Sequence, residues 1–466
     1  MIASLNKDTY AYFIGVFCIS LFSFGQIFLP AYTPDDFLTG SVLTPPSLYF
    51  SQGRFVEASI VSLLNQIHLT MFDIGFGFSG IVLVLYSALI VFLLKACVPE
   101  QFDRGLVAAA GLFIAASPLM ATLLSYRQTA FNLAACLLLL LYGMSLYQAH
   151  LKKGRDVACA AASAVCFALS LGCYQVFISV IVLYFAYLSL TAVHDGRRVP
   201  CGNLVVPALS VVLYGIIFAM TKNIAGENHW DQRGALLSPA DFARRGHDIA
   251  HALSGLQGLM HGHPSYAVLL LLPVLALSLA ACRAHPGLTV LAVMASAVLC
   301  AVILFPVVGL SIWQPTARMF LGAYFAIGFA AIWLFGMAGL FVRGATALLV
   351  ALSLVSMMFS NMFLTEQIKK NRWDMNVAAL VTRDIRVALE NRNPSVVYVS
   401  VDPATHAHSS FKVGWSIQGI FHETANIDWD IRDPAPGMAA DCRLSPKFPV
   451  GGYLHTLQGH AVLVCL

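Results

Sequence analysis

Apolar runs of about twenty residues recur along this chain, and a run of that length matches the hydrocarbon thickness of a bilayer. Backbone placed in hydrocarbon must satisfy its own hydrogen bonds, so runs of this kind are restricted to helices. With a window of about nineteen residues, the spans fall near 10–29, 74–95, 105–124, 129–148, 157–173, 175–193, 203–221, 266–282, 287–309, 319–341 and 344–363, eleven in all. The expected fold is an α-helical polytopic membrane protein. Gly172-Cys173-Tyr174-Gln175 interrupts one apolar region between the fifth and sixth spans, and reads either as a tight turn or as a broken helix. No small-residue cleavage site follows the first run, which is therefore expected to be a retained helix rather than a secretion signal.

Orientation follows from the short connections, because Lys and Arg gather on the cytoplasmic side. One set holds Lys7, Lys95, Arg104, Lys152, Lys153, Arg155, Arg197, Arg198, Arg283 and Arg343, whereas the opposite set holds the single arginines Arg54, Arg127 and Arg318. This places the N-terminus inside and, after an odd number of spans, the C-terminus outside. The net charge of +4 is spread over loops, which gives no nucleic-acid footprint.

The outer side then carries three polar segments. These are a loop over 30–73, a loop over 222–265, and a region over 365–466 long enough to be a small domain behind the membrane domain of 1–364. Within the last, Arg372–Asn391 has helical apolar spacing, while Val396–Val401 and Ala461–Leu466 are rich in strand formers, so a mixed α/β domain is expected. Nine of the eleven cysteines lie in or beside apolar runs, where they act as small hydrophobes. Cys442 and Cys465 are the only two in the C-terminal region, and an oxidising outer compartment makes them the natural disulfide pair.

Only 11% of the residues are charged, so the placement of charge carries information. Asp35 and Asp36 follow Pro30 and Pro34, which end the first span close to the outer surface. A carboxylate held there, partly desolvated, can take a proton from a sugar hydroxyl; a Thr-Pro-Asp-Asp run is equally a helix cap or turn. Arg54 lies in a segment from Pro45 to Ile67 whose mixed pattern suits a helix on the membrane surface, with Glu57 one turn on. Its guanidinium can grip a phosphate with paired hydrogen bonds, or snorkel to lipid headgroups. Arg127 and Arg318 also run against the inside bias, and their common target is an anionic headgroup. Tyr126, Gln128, Tyr174, Gln175, Trp313 and Gln314 fall at the same level and supply the aromatic and amide groups of sugar sites, or an interfacial belt.

His247 and His251 in the second loop have a helical metal-ligand spacing, with His261 and His263 further on, but no cysteine lies near and no metal is assigned. Neither a phosphate-cradling glycine loop nor a nucleophile elbow is present in the sequence, and no cofactor is expected.

The layout resembles the Gtr-type O-antigen glucosyltransferases, polyprenyl-phosphate-sugar glycosyltransferases of GT-C architecture. The resemblance is carried by Asp35-Asp36 in the first outer loop, Gly53-Arg54-Phe55 behind it, the Ser170-Leu171-Gly172-Cys173-Tyr174-Gln175 turn, and the polar C-terminal domain. It implies transfer of a hexose, glucose above all, from an undecaprenyl-phosphate donor to lipopolysaccharide O-antigen on the periplasmic face of a bacterial inner membrane, the chemistry of serotype conversion. Carried onto this chain, Asp35 or Asp36 is the base, and Arg54, Arg127 and Arg318 hold the phosphate. One displacement would invert the anomeric centre, and a second carboxylate acting as nucleophile would retain it. The competing class is a lipid-linked sugar flippase or secondary transporter, which would concentrate ionisable groups inside its spans. This chain concentrates them in its outer loops instead.

Overall fold

The computed structural model describes residues 7–41, 44–152, 156–225, 238–241, 244–245, 247, 317–339, 341–402 and 409–466. Among these residues the chain is mostly helical, with one small sheet near the C-terminus. Among the described residues, eight helices are long and apolar enough to cross a membrane, and Val157–Cys173 is a shorter apolar one. Nine of the expected spans thus have helical counterparts, and those near 266–282 and 287–309 lie outside the described residues.

The bundle runs through α1 (Lys7–Phe24), α5 (Met71–Cys97), α6 (Arg104–Ala115), α7 (Pro118–Leu124), α8 (Ala130–Lys152), α9 (Val157–Cys173), α10 (Ile178–His194), α11 (Gly202–Ala225), α12 (Gly322–Ala338) and α13 (Val342–Ala388). Between α1 and α5 lie three short helices: α2 (Pro34–Ser41), α3 (Pro46–Ser51) and α4 (Phe55–Gln66). The expected span over 105–124 is broken, because Pro118 has no N–H for the carbonyl four residues back. Side chains from neighbouring helices fill the gap: the Tyr86 hydroxyl donates to the Ile114 carbonyl (2.8 Å) and the Ser360 hydroxyl to that of Ala116 (3.0 Å). The break is thereby locked to α5 and α13.

A larger departure concerns the last span. Instead of ending near 363, α13 continues for 47 residues, a rod of about 70 Å at 1.5 Å per residue. The boundary expected between 364 and 365 falls inside this one helix. Its apolar stretch joins the bundle, and its later turns place Val377, Ala378, Val381 and Ile385 in the C-terminal core.

That core is built on a four-stranded sheet of order β2-β1-β4-β3, with β1 (Val397–Ser400), β2 (Ile431–Arg432), β3 (Leu454–Thr456) and β4 (Val462–Cys465). β1 runs parallel to β2 and β4, and β3 antiparallel to β4. α13 and α14 (Gly414–Ala425) supply one apolar cluster against the sheet, with Ile417, Ile420 and Phe421 meeting Val397, Val399, Val462 and Val464. In a separate cluster, Met438 and Cys442 of α15 (Pro436–Leu444) meet Leu463 and Cys465. Cys442 and Cys465 are bonded there, with Cα atoms 5.3 Å apart.

The segment between α1 and α5 is drawn into this C-terminal domain. Tyr32 and Phe37 are buried members of its core, and a fully buried aromatic of this kind is worth about 1.5–3 kcal/mol in removed apolar surface. Gly419 on α14 meets the Phe37 backbone so closely that a β-carbon there would overlap it. α2 therefore lies directly on α14, at the end of the bundle from which α13 emerges.

Candidate functional site

The two adjacent aspartates have separate surroundings. Asp36 is wholly buried. One carboxylate oxygen accepts from the Thr33 amide (2.8 Å) and hydroxyl (2.9 Å), while the Thr33 hydroxyl accepts from the Asp36 amide (3.2 Å). This is a reciprocal capping box, with Pro34 occupying the first helical position, where no N–H is needed. The other oxygen accepts from the Gln128 amide (2.8 Å), which ties α2 to the connection before α8. Burial pushes the Asp36 carboxyl up to about 6, against the amides of Gln128 and Thr33, the Thr33 hydroxyl and the Arg127 amide, which hold it down. Asp36 is thus a cap and a tether.

Asp35, one residue earlier, is only partly buried. It lies within electrostatic reach of Arg318, Tyr126 and Tyr49. The dipeptide on one short helix therefore directs one carboxylate inward to hold the segment and leaves the other near Arg318, Tyr126 and Tyr49.

Arg54 and Arg318 belong to that same cluster. Arg54 lies over the Tyr174 ring (4.7 Å to its centroid) and pairs with Glu57 (3.4 Å), and Arg318 lies over the Tyr126 ring (4.2 Å). Both arginines act electrostatically on Glu57, whose side chain is 2% exposed. Burial pushes the Glu57 carboxyl up to about 7, and the Arg54 guanidinium beside it pulls it part of the way back. The site therefore brings two guanidinium groups together with Asp35 and with a Glu57 carboxyl that burial has pushed up.

The sequence folds this way because two of its motifs interlock. Gly53 turns the chain between α3 and α4 at φ +74°, a conformation that favours glycine, and any β-carbon there would strike the Tyr214 hydroxyl. Phe55 sets its ring over Gly172, where a side chain would overlap it. The Gln175 amide donates to the Gln52 carbonyl (2.6 Å) and to the Tyr214 hydroxyl (3.0 Å). The Gly-Arg-Phe turn and the turn between α9 and α10 are thus one unit, and Arg54 is held over Tyr174 by it. The apolar region is interrupted by one extended residue, Tyr174, followed by a 3-10 helix over Gln175–Phe177.

Several expectations need correcting. The segment from Pro45 to Ile67 is two short helices rather than one surface helix; Phe55, Ala58, Val61 and Leu64 are buried in the protein, while Leu63 and Ile67 are exposed. Arg54 faces Glu57 and Tyr174. Arg127 stands apart from the other two arginines, over Tyr32 (5.3 Å) and Phe76 (5.0 Å), beside a small cavity that Gln26, Ser79, Ser125 and Gln367 also line. Gln175 spends its amide on Gln52 and Tyr214, and Gln128 contributes its backbone N–H to Asp36. Trp313, Gln314, His251, His261 and His263 lie outside the described residues. Among the described residues, no group of three or more His, Cys, Asp or Glu is placed to hold a metal ion.

Sequence reasoning missed Tyr214, Tyr49 and Tyr32. Tyr214 is concealed inside an apolar span, and only its spacing within α11 relative to Lys222 hints that it nears the polar end. Tyr49 follows a Pro-Pro helix start that was visible. Tyr32 looked like part of a turn, because Glu423, Gln367 and Asn371, which bond to it, are more than 330 residues away in sequence.

Neither a protein family, nor a curated protein, nor a solved structure matches this chain. Its chemistry is therefore argued from the site itself.

Proposed function

We propose that the protein is a membrane glycosyltransferase of GT-C type, moving a hexose from a polyprenyl-phosphate donor to a lipopolysaccharide saccharide on the outer face of a bacterial inner membrane. The observation that carries this reading is the convergence of Asp35 with Arg54 and Arg318, two guanidinium groups each braced on a tyrosine face. A glycosyl phosphate donor needs a base for the acceptor and positive charge for the departing phosphate, and the cluster supplies both. The paired cysteines of the C-terminal domain support its facing an oxidising compartment.

In this reading an acceptor hydroxyl attacks the anomeric carbon while Asp35 takes its proton. The bond from that carbon to the phosphate oxygen breaks, and the electron pair leaves with the phosphate, which Arg54 and Arg318 receive. Asp36 is committed to Thr33 and Gln128, and Glu57 to Arg54. No second carboxylate is then available as a nucleophile among the residues of this cluster, so a single displacement with inversion is expected. Arg127, stacked on Tyr32 away from this cluster, is assigned no phosphate contact. The test is transfer by purified protein from polyprenyl-phosphate-linked hexoses to an O-antigen acceptor, with the product's anomeric configuration determined. Donor translocation across proteoliposomes without any hexose transfer would replace this reading by the flippase one.

A further inference from the structure

Tyr32 stands two residues before Pro34, where α2 begins, and links that helix to both the bundle and the C-terminal domain. Its side chain is buried, with the ring edge-on to Phe37 at 5.5 Å between centroids. The hydroxyl donates to a Glu423 carboxylate oxygen on α14 (3.0 Å). The carbonyl accepts from the Gln367 amide (2.7 Å) and the Asn371 amide (3.2 Å), both on α13. From the bundle side, the Arg127 guanidinium covers the ring at 5.3 Å, and the next residue, Gln128, holds Asp36 through its amide.

We propose that Tyr32 is a positioning residue through which the C-terminal domain sets the placement of Asp35. The proposal rests on the reading of Asp35 as the base. Little freedom separates the two residues: Thr33 is fixed by its capping box with Asp36, and Pro34 has a locked φ. A shift of α14 is also carried to α2 directly, because the Phe37 backbone and Gly419 are in contact. Tyr32 and Phe37 thus grip the base-bearing helix at its entry and one turn in. Through these contacts the C-terminal domain holds the base at the distance that proton transfer requires. A misplacement of about 1 Å is enough to cost on the order of a hundredfold in rate.

The experiment uses the full-length protein in nanodiscs with Tyr32→Phe, which keeps the ring and removes the hydroxyl bond, and Asn371→Ala, which removes one carbonyl bond. Backbone hydrogen exchange across residues 33–38 is measured alongside transfer from a polyprenyl-phosphate hexose. Exchange over 33–38 is expected to rise in each variant, and kcat to fall by about tenfold with KM for the donor unchanged. Glu423→Gln, which retains a carbonyl acceptor for the tyrosine hydroxyl, is expected to restore most of the activity lost in Glu423→Ala. Unchanged exchange over 33–38 in both Tyr32→Phe and Asn371→Ala overturns the proposal, as does raised exchange with unchanged kcat. If the wild type transfers no hexose while exchange still rises in the variants, the grip on α2 stands; the glycosyltransferase reading then fails, and the positioning role fails with it.

Discussion

Replacing each aspartate of the pair by asparagine should separate catalysis from architecture. Asp36→Asn keeps the shape but turns one oxygen into a donor. In the better orientation, the remaining oxygen serves the Thr33 amide and hydroxyl, and the new NH₂ faces the Gln128 amide. That loses one charge-assisted hydrogen bond, about 1.5–3 kcal/mol, and buries an unpartnered donor, about 1–3 kcal/mol more. Against this, the folded state no longer holds a carboxylate that burial has already pushed up to about 6, a relief on the order of 3 kcal/mol near neutral pH. The terms leave a net effect between about no change and about 3 kcal/mol of destabilisation, with turnover down about ten- to a hundredfold as α2 loosens. Asp35→Asn, at a partly exposed position that gives up its attraction to Arg318, should change stability by about 1 kcal/mol or less, yet lower turnover by about 10²–10⁴-fold by removing the base. Thermal unfolding of the purified variants and single-turnover transfer from a polyprenyl-phosphate hexose measure the two effects separately. Near-normal turnover in Asp35→Asn together with complete loss in a fully stable Asp36→Asn would refute the division of roles.

Arg54→Ala and Arg318→Ala should each raise the donor KM and lower kcat, with Arg54→Lys less damaging than Arg54→Ala, because Lys restores charge but not the planar fork; Arg127→Ala should leave donor KM unchanged in the same assay. Glu57, raised to about 7 from an ordinary 4.5, favours the folded protein when protonated. Its contribution to stability is complete below about pH 4.5 and is lost as pH rises through about 7. The same ionisation sets a competing anion beside Arg54, so donor affinity should weaken above about pH 7, and Glu57→Gln should flatten that dependence in binding measured from pH 6 to 8.5. Replacing Cys442 and Cys465 by serine should cost the C-terminal domain about 2–4 kcal/mol, read as earlier proteolysis of residues beyond α13. Alkylation of the non-reduced, denatured wild type should leave both thiols unmodified, and two alkylated thiols would count against the outward orientation of this domain.

Hydropathy alone carried the membrane class, because the requirement to satisfy backbone hydrogen bonds in hydrocarbon leaves few alternatives. Scarcity of charge was equally informative: Asp35, Arg54 and Arg318 meet in one cluster although they are distant in sequence. Strand propensity marked β1 and β4, which are adjacent and parallel, whereas β2 and β3 span two and three residues and are too short for any alternation to register. The continuity of α13 escaped the reading for a different reason. Polar residues such as Glu366, Lys369 and Lys370 end a hydropathy window, but they are good helix formers and do not end a helix. The displacement of Arg127 from the other arginines was also out of reach, since membrane depth can be estimated along a chain but the position around a bundle cannot. Pro118 is the one feature that was legible and unread.

The split between the aspartates also bears on how the site tolerates its own charge. A buried carboxylate is costly unless several donors satisfy it, and Asp36 has those donors only because the capping box and the Gln128 amide converge on it. Asp35 stays partly exposed and near Arg318, so solvent and that guanidinium both screen its charge. Around it, Arg318 acts on Asp35, and both guanidinium groups act on Glu57, whose carboxyl burial pushes up to about 7. With Glu57 protonated, the two guanidinium groups face one carboxylate fewer, which leaves room for an incoming anion. A phosphate entering between Tyr126 and Tyr174 would complete the balance, and the developing negative charge on a departing phosphate would be stabilised more strongly than the donor's own diester. Neutralising Glu57 should then tighten phosphate binding without supplying a base, so Glu57→Gln should lower the Kd for the product polyprenyl phosphate at pH 8 and slow its release. A variant that binds product more weakly than wild type at that pH would mean that Glu57 orients Arg54 and does not set the charge of the site.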